Sequence, residues 1–177
     1  MTAPPEADAT PRFEVDPYER NWMRFSIVLL VVFVVAVIVS GFALGFQVPG
    51  VEGRVDPATL SDPGQPFAQP GLRQLANGEY EAWVVARQFA FEPNQIEVPV
   101  GAKVTIYVTA ADAQHGFKIT GTNVNMQVVP GQISKLSYTF DRVGEYPYIC
   151  TEYCGLGHAA MFGTIKVVPP DQLGGTP

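Results

Sequence analysis

The chain passes through three regimes of hydrophobic patterning. In the first, from Phe25 to Phe46, FSIVLLVVFVVAVIVSGFALGF runs without a charged residue. A helix of that length spans roughly 33 Å at about 1.5 Å per residue, enough for the hydrocarbon core of a bilayer. A signal peptide has an apolar region of roughly 7–15 residues and an A-x-A-like site behind it, which this segment lacks. The pattern therefore predicts a permanent anchor. Upstream, DPYER offers Asp16 as a cap, Pro17 at the first helical position and Glu19 at the third, which places the helix over 16–46. Arg12, Arg20 and Arg24 precede the apolar run and Arg54 follows it. By the positive-inside rule the N-terminus stays in the cytoplasm. The rest of the chain then lies on the outer side of a plasma membrane that it crosses once.

The second regime, residues 47–77, is rich in proline and glycine and reads as an irregular connector. The third, 78–168, holds short segments such as YEAWVVA, KVTIYVTA, SKLSYTF and GTIKVV, rich in β-branched and aromatic residues. Alternation is clearest at Val104, Ile106 and Val108. The turn formers EPNQ, PVG, VPGQ and DRVGEYP separate these segments. This part reads as all-β, a Greek-key sandwich of about 95 residues with its own core. Residues 1–15 read as a disordered N-terminus and 169–177 as a flexible tail. The net charge of −6 and pI near 4.8 argue against nucleic acid and leave room for a basic partner.

Chemistry concentrates in residues 150–161, CTEYCGLGHAAM. They hold both cysteines, one of two histidines and one of four methionines. The spacing is C-x3-C-x3-H-x2-M, and the remaining histidine, His115, lies upstream in DAQHGFKIT. Two thiols, two imidazoles and a thioether form a ligand set suited to copper. Mononuclear blue-copper sites use two His, one Cys and a weak axial Met, so the second cysteine is surplus to them. With both sulfurs bridging, the set can serve two coppers with one terminal imidazole each. A Cys150–Cys154 disulfide would leave His115, His158 and Met161 unexplained, and zinc would leave Met161 without a role.

The segment CTEYCGLGHAAMFGTIKV, with HGFKI upstream, resembles the dinuclear copper (CuA) domain of subunit II of haem-copper oxygen reductases. The resemblance runs from about Trp22 to Val168. FEPNQIEVPVG, HGFKITGTNVN, PGQISKLSYTF and the single N-terminal helix are similar to the B-type, ba-like cytochrome c oxidases. It implies a cupredoxin-like sandwich in which Cys150 and Cys154 bridge two copper ions. His115 and Met161 complete one copper, and His158 and the backbone carbonyl of Glu152 complete the other. It implies a partner subunit I bearing haem, a cytochrome c or similar donor on the outer face, and reduction of dioxygen to water. In A-type relatives a glutamate at the position of Glu152 helps hold magnesium at the subunit I interface. Here that carboxylate reads either so or as a solvated or arginine-paired loop glutamate. Where A-type relatives carry an aromatic cluster for electron uptake, this chain offers Phe89 and Phe91 beside Arg87; ordinary strand aromatics are the competing reading. A membrane-anchored copper chaperone also has C-x3-C and a distant histidine, but it lacks H-x2-M and needs alternating strands and helices.

Overall fold

The computed structural model describes residues 14–44 and 49–174. The disorder expected over 1–15 falls outside these residues except at positions 14 and 15, as does the end of the tail, 175–177. Two compact units divide near Gly45.

The first unit is helix α1 (Pro17–Leu44). Asp16 opens it as expected: its Oδ1 accepts from the Tyr18 N–H at 2.7 Å and its carbonyl accepts from the Arg20 N–H. Pro17 takes the first position, where a missing N–H costs nothing. The span Pro17–Ala43 has a mean hydropathy of 3.0, and none of its best window is buried within the protein. From Phe25 onward the helix carries no charged residue, and it is long and apolar enough to cross a bilayer.

The second unit contains, among the described residues, eleven strands: β1 (Gly50–Arg54), β2 (Gly71–Gln74), β3 (Tyr80–Arg87), β4 (Ala90–Glu92), β5 (Gln95–Pro99), β6 (Lys103–Ala110), β7 (His115–Ile119), β8 (Asn125–Val128), β9 (Gln132–Thr139), β10 (Gly144–Ile149) and β11 (Phe162–Val168). One sheet runs β1-β9-β6-β3-β2, with β4 also on β3, and the other runs β5-β11-β10-β7-β8. Most pairs are antiparallel, but β3 with β6 and β5 with β11 are parallel. The alternation at Val104, Ile106 and Val108 turns all three into the core, where they are fully buried. They meet Phe117, Ile119, Tyr148 and Ile165 from the facing sheet. Cys150, Cys154 and Met161 belong to the same cluster, so the ligand candidates sit at one end of the core.

Where the sequence predicts an irregular connector over 47–77, the structure places two strands and a buried anchor. Strand β1 pairs with β9, and β2 pairs with β3. Between them, Leu60 and Phe67 pack with Val55, Val85, Tyr107 and Ile133 over the outer face of the first sheet, joined by Trp83. Trp83 stacks on Tyr107 at 4.3 Å and meets Phe67 edge-on at 5.0 Å. Arg73 lies over the Trp83 ring and donates to the carbonyls of Pro66 and Gln69. Proline and glycine density announces turns. It is silent on a short strand held through its backbone and on a loop held by two side chains.

Candidate metal centre

Two loops at one end of the sandwich bring the candidate ligands together. Strand β7 begins at His115, which is fully buried. Strand β10 delivers Cys150 immediately past its end, and β11 begins just after Met161, so 150–161 is the loop joining neighbouring strands. The Cys150 N–H donates to the Met161 carbonyl at 3.1 Å and closes the base of that loop. Inside it a short 3-10 turn, His158–Ala160, points His158 back toward the cysteines. Gly155 adopts φ of 131°, a conformation that side-chain-bearing residues avoid, and a Cβ there would lie 2.9 Å from the Phe89 ring.

The sulfurs of Cys150 and Cys154 stand 3.9 Å apart and both thiols are free, well beyond the roughly 2.05 Å of a disulfide. His115 Nδ1 lies 3.7 Å from the Cys150 sulfur, and His158 Nδ1 lies 3.7 Å from the Cys154 sulfur. The Met161 thioether is 3.8 Å from Cys154, and the Glu152 carbonyl is 3.2 Å from Cys150. His115, Cys150 and Cys154 offer ligand atoms that all lie within 4.8 Å of one another. His158 approaches this group from the Cys154 side. With metal–thiolate bonds of about 2.3 Å and metal–imidazole bonds of about 2.1 Å, atoms sharing a metal lie no more than roughly 4.6 Å apart. Each of these pairwise sulfur spacings meets that limit. The imidazoles face different sulfurs, an arrangement suited to terminal ligands on two metals.

Electrostatics fit a metal-binding pocket. Burial pushes the Cys154 thiol up to about 11, and the neighbouring Cys150 adds to the rise. The metal-free chain therefore keeps that proton at neutral pH, and a metal bound there would have to displace it. His115 Nε2 donates to Asp112 Oδ1 at 2.9 Å, which leaves Nδ1 free to ligate. Burial raises the Asp112 carboxyl, but hydrogen bonds from His115 and from the backbone N–H groups of Gln88 and Ala113 outweigh it. The net effect is a carboxyl below its ordinary range.

All six expected positions, His115, Cys150, Glu152, Cys154, His158 and Met161, lie in this one cluster. The Glu152 side chain is exposed and only its carbonyl faces the sulfurs. Phe91 is a core residue, edge-on to Phe117 and Tyr148. Phe89 is 38% exposed and lies against Gly155 and Gly157. Leu156 is 98% exposed and Tyr153 76%, and Phe162 is also exposed, giving the loop an apolar outer rim. The sequence reading omits Asp112 and Gln88. An acid three residues before a ligand histidine is a usable signal for the first. Gln88 comes from the β3–β4 turn, and no local pattern marks it.

Comparison with known proteins identifies the family. The profile of the family described as cytochrome c oxidase subunit II, periplasmic domain, matches residues 77–168. A cytochrome c oxidase subunit 2 from Thermus thermophilus is 44% identical over 154 residues, covering 85% of this chain and 91% of its own. A second Thermus thermophilus cytochrome c oxidase subunit 2 is 48% identical over 116 residues, covering 64% of this chain and 85% of its own. A chain from the cryo-EM structure of a heme-copper terminal oxidase dimer superposes with a TM-score of 0.67 at 29% identity, covering 85% of this chain and 99% of that one.

Proposed function

The chain belongs to the cytochrome c oxidase subunit II family, and from that premise we propose that it is the electron-accepting subunit of a terminal cytochrome c oxidase. In this reading it is anchored by α1 beside the other oxidase subunits and holds dinuclear copper in its cupredoxin-like sandwich. His115, Cys150, Cys154, His158 and Met161 supply side chains, and Glu152 supplies its carbonyl. A dinuclear copper centre spreads one unpaired electron over two metals, which lowers the structural change per electron transferred. The observation that carries the proposal is the buried thiol pair, 3.9 Å apart, with a different imidazole 3.7 Å from each sulfur.

The protein's own part is to keep that set fixed and dry. Asp112 holds the His115 ring, the Cys150–Met161 backbone bond closes the loop, and Phe89 covers its glycines. The donor is a cytochrome c or similar protein docking on the exposed apolar rim, and the acceptor is haem in subunit I. Of the two aromatics, Phe89 is the one assigned to electron entry in this reading, supported by its exposure beside the loop glycines while Phe91 is in the core. The copper domain is outside the plasma membrane and the N-terminus is in the cytoplasm. The exposed Glu152 carboxylate is free to join a magnesium site at the subunit I interface, a hard oxygen-liking cation that would not compete for sulfur.

The deciding experiment is a copper count with electron paramagnetic resonance on the purified full chain in detergent. Two coppers per chain and hyperfine structure from two equivalent nuclei are expected. One copper with a blue-copper spectrum, or zinc alone, would refute the dinuclear reading. Metal analysis of the whole oxidase tests Glu152 separately: Glu152→Gln should remove magnesium and leave the copper spectrum nearly unchanged. The copper-chaperone alternative is disfavoured by the fold, since among the described residues past the anchor the only helices are short 3-10 turns.

A further inference from the structure

We propose that Gln88 is a positioning residue that ties the two ends of the ligand set to each other. The proposal deepens the copper reading and rests on it for its spectroscopic test. Gln88 lies at the surface in the turn between β3 and β4, on neither ligand-bearing segment. Its side-chain Nε2 donates to the carbonyl of Cys154 at 2.6 Å. Its backbone N–H donates to Asp112 Oδ2 at 2.7 Å, and the other Asp112 oxygen accepts from His115 Nε2.

One residue thus fixes the backbone that carries one sulfur and, through one carboxylate, the imidazole that faces the other sulfur. The next residue, Phe89, lies on Gly155 and Gly157 and gives the same turn a second hold on the loop. The backbone hydrogen bonds from Cys150 to Met161, from His158 to Gly155, from Ala160 to Gly157 and from Met161 to His158 stay within the loop. The Gln88 amide reaches it from a different strand pair. The role needs a donor of this reach. Glutamate would present an acceptor to an acceptor, and methionine keeps the length without a donor.

The experiment uses the full chain in detergent with Gln88→Met and Gln88→Glu. In the metal-free protein, amides over 153–158 should exchange with solvent roughly two- to tenfold faster in Gln88→Met, the factor expected for one net hydrogen bond. Gln88→Glu should exchange at least as fast. After copper loading, both variants should show altered copper hyperfine splitting, because the Cys154 backbone is no longer held against the His115 side. Unchanged exchange in both variants overturns the proposal. Faster exchange with an unaltered copper spectrum also overturns it, since that reduces Gln88 to loop stability alone. Failure of the unmutated chain to bind copper would instead refute the copper reading, while the exchange measurement would still decide whether Gln88 ties the loop.

Discussion

A single atom added at Gly163 would test how tightly the core supports the site. A Cβ there collides with the ring of Tyr148, a fully buried residue whose hydroxyl donates to the Pro93 carbonyl at 2.6 Å. Neither partner can yield cheaply, because Tyr148 is hydrogen-bonded and packed against Phe91 and Phe117. Gly163→Ala should cost about 1–3 kcal/mol, the usual range for an overpacked core. The melting temperature should fall by several degrees; an unchanged melt would show that the strand moves aside freely. Ligand substitutions should separate by chemistry. Met161 is 2% exposed, and Met161→Leu keeps its volume while removing what the proposed site uses only as a weak ligand. It should retain most of the copper with a shifted reduction potential, whereas Cys150→Ser or Cys154→Ser should lose the two-nucleus signal. Loss of all copper from Met161→Leu, with the signal surviving in a cysteine variant, would reverse this ranking.

Strands and loops differ in how plainly they are written. The long apolar run with its Asp16 cap and the period-two alternation of β6 are legible because each side chain is committed to one environment. The 150–161 cluster stands out for a related reason: metal-ligand chemistry tolerates few residue types, so two Cys, a His and a Met within twelve residues mark a candidate site, while the Glu152 carbonyl has no residue-type signal. Strand β1 is different. Its residues GVEGR are mostly exposed, and it is held through backbone pairing to β9 with one side-chain pair, Glu52 to Lys135 at 2.9 Å. No hydrophobic period exists there to be read. The parallel β3–β6 and β5–β11 pairings are equally silent, since inward-facing residues look alike in either direction. The edge strand nevertheless has a measurable consequence. A fragment beginning at Val55 lacks all of β1, while one beginning at Gly50 keeps it. The longer fragment should melt higher and should protect the β9 amides over 132–135 from exchange. Equal melting and equal protection would mean that β1 pairs only weakly.

The whole molecule joins a membrane helix to an acidic sandwich whose buried groups hold their protons, and both properties have readouts. Burial raises Tyr148 well above its ordinary value and, more modestly, Tyr138 and Tyr107, while the metal-free Cys154 thiol is pushed up to about 11. Unfolded tyrosine releases its proton near pH 10, and unfolded cysteine near about 8.5. Above those values the unfolded chain binds fewer protons than the folded one, so stability falls as pH rises. The contribution is complete below the unfolded pKa values and is lost as pH climbs through the raised ones. The metal-free protein should melt progressively lower above about pH 9. Tyr148→Phe should start lower, having lost a hydrogen bond, but should fall less steeply above about pH 10; parallel curves would remove Tyr148 from the account. The proposed topology rests on charge at the same scale: Arg12, Arg20 and Arg24 precede the apolar run and Arg54 follows it, the bias expected of an N-terminus kept inside. With that topology, protease added to intact spheroplasts should remove the sandwich from the outer face, leaving a protected fragment that carries the N-terminus. Cancelling the bias with Arg20→Glu and Arg24→Glu, which leaves Arg12 against Arg54, should reduce the released fraction, because the rule counts positive charge and gives acidic residues little weight. A copper domain that protease reaches only after the spheroplasts are lysed would place it on the cytoplasmic side, out of reach of an outer-face donor.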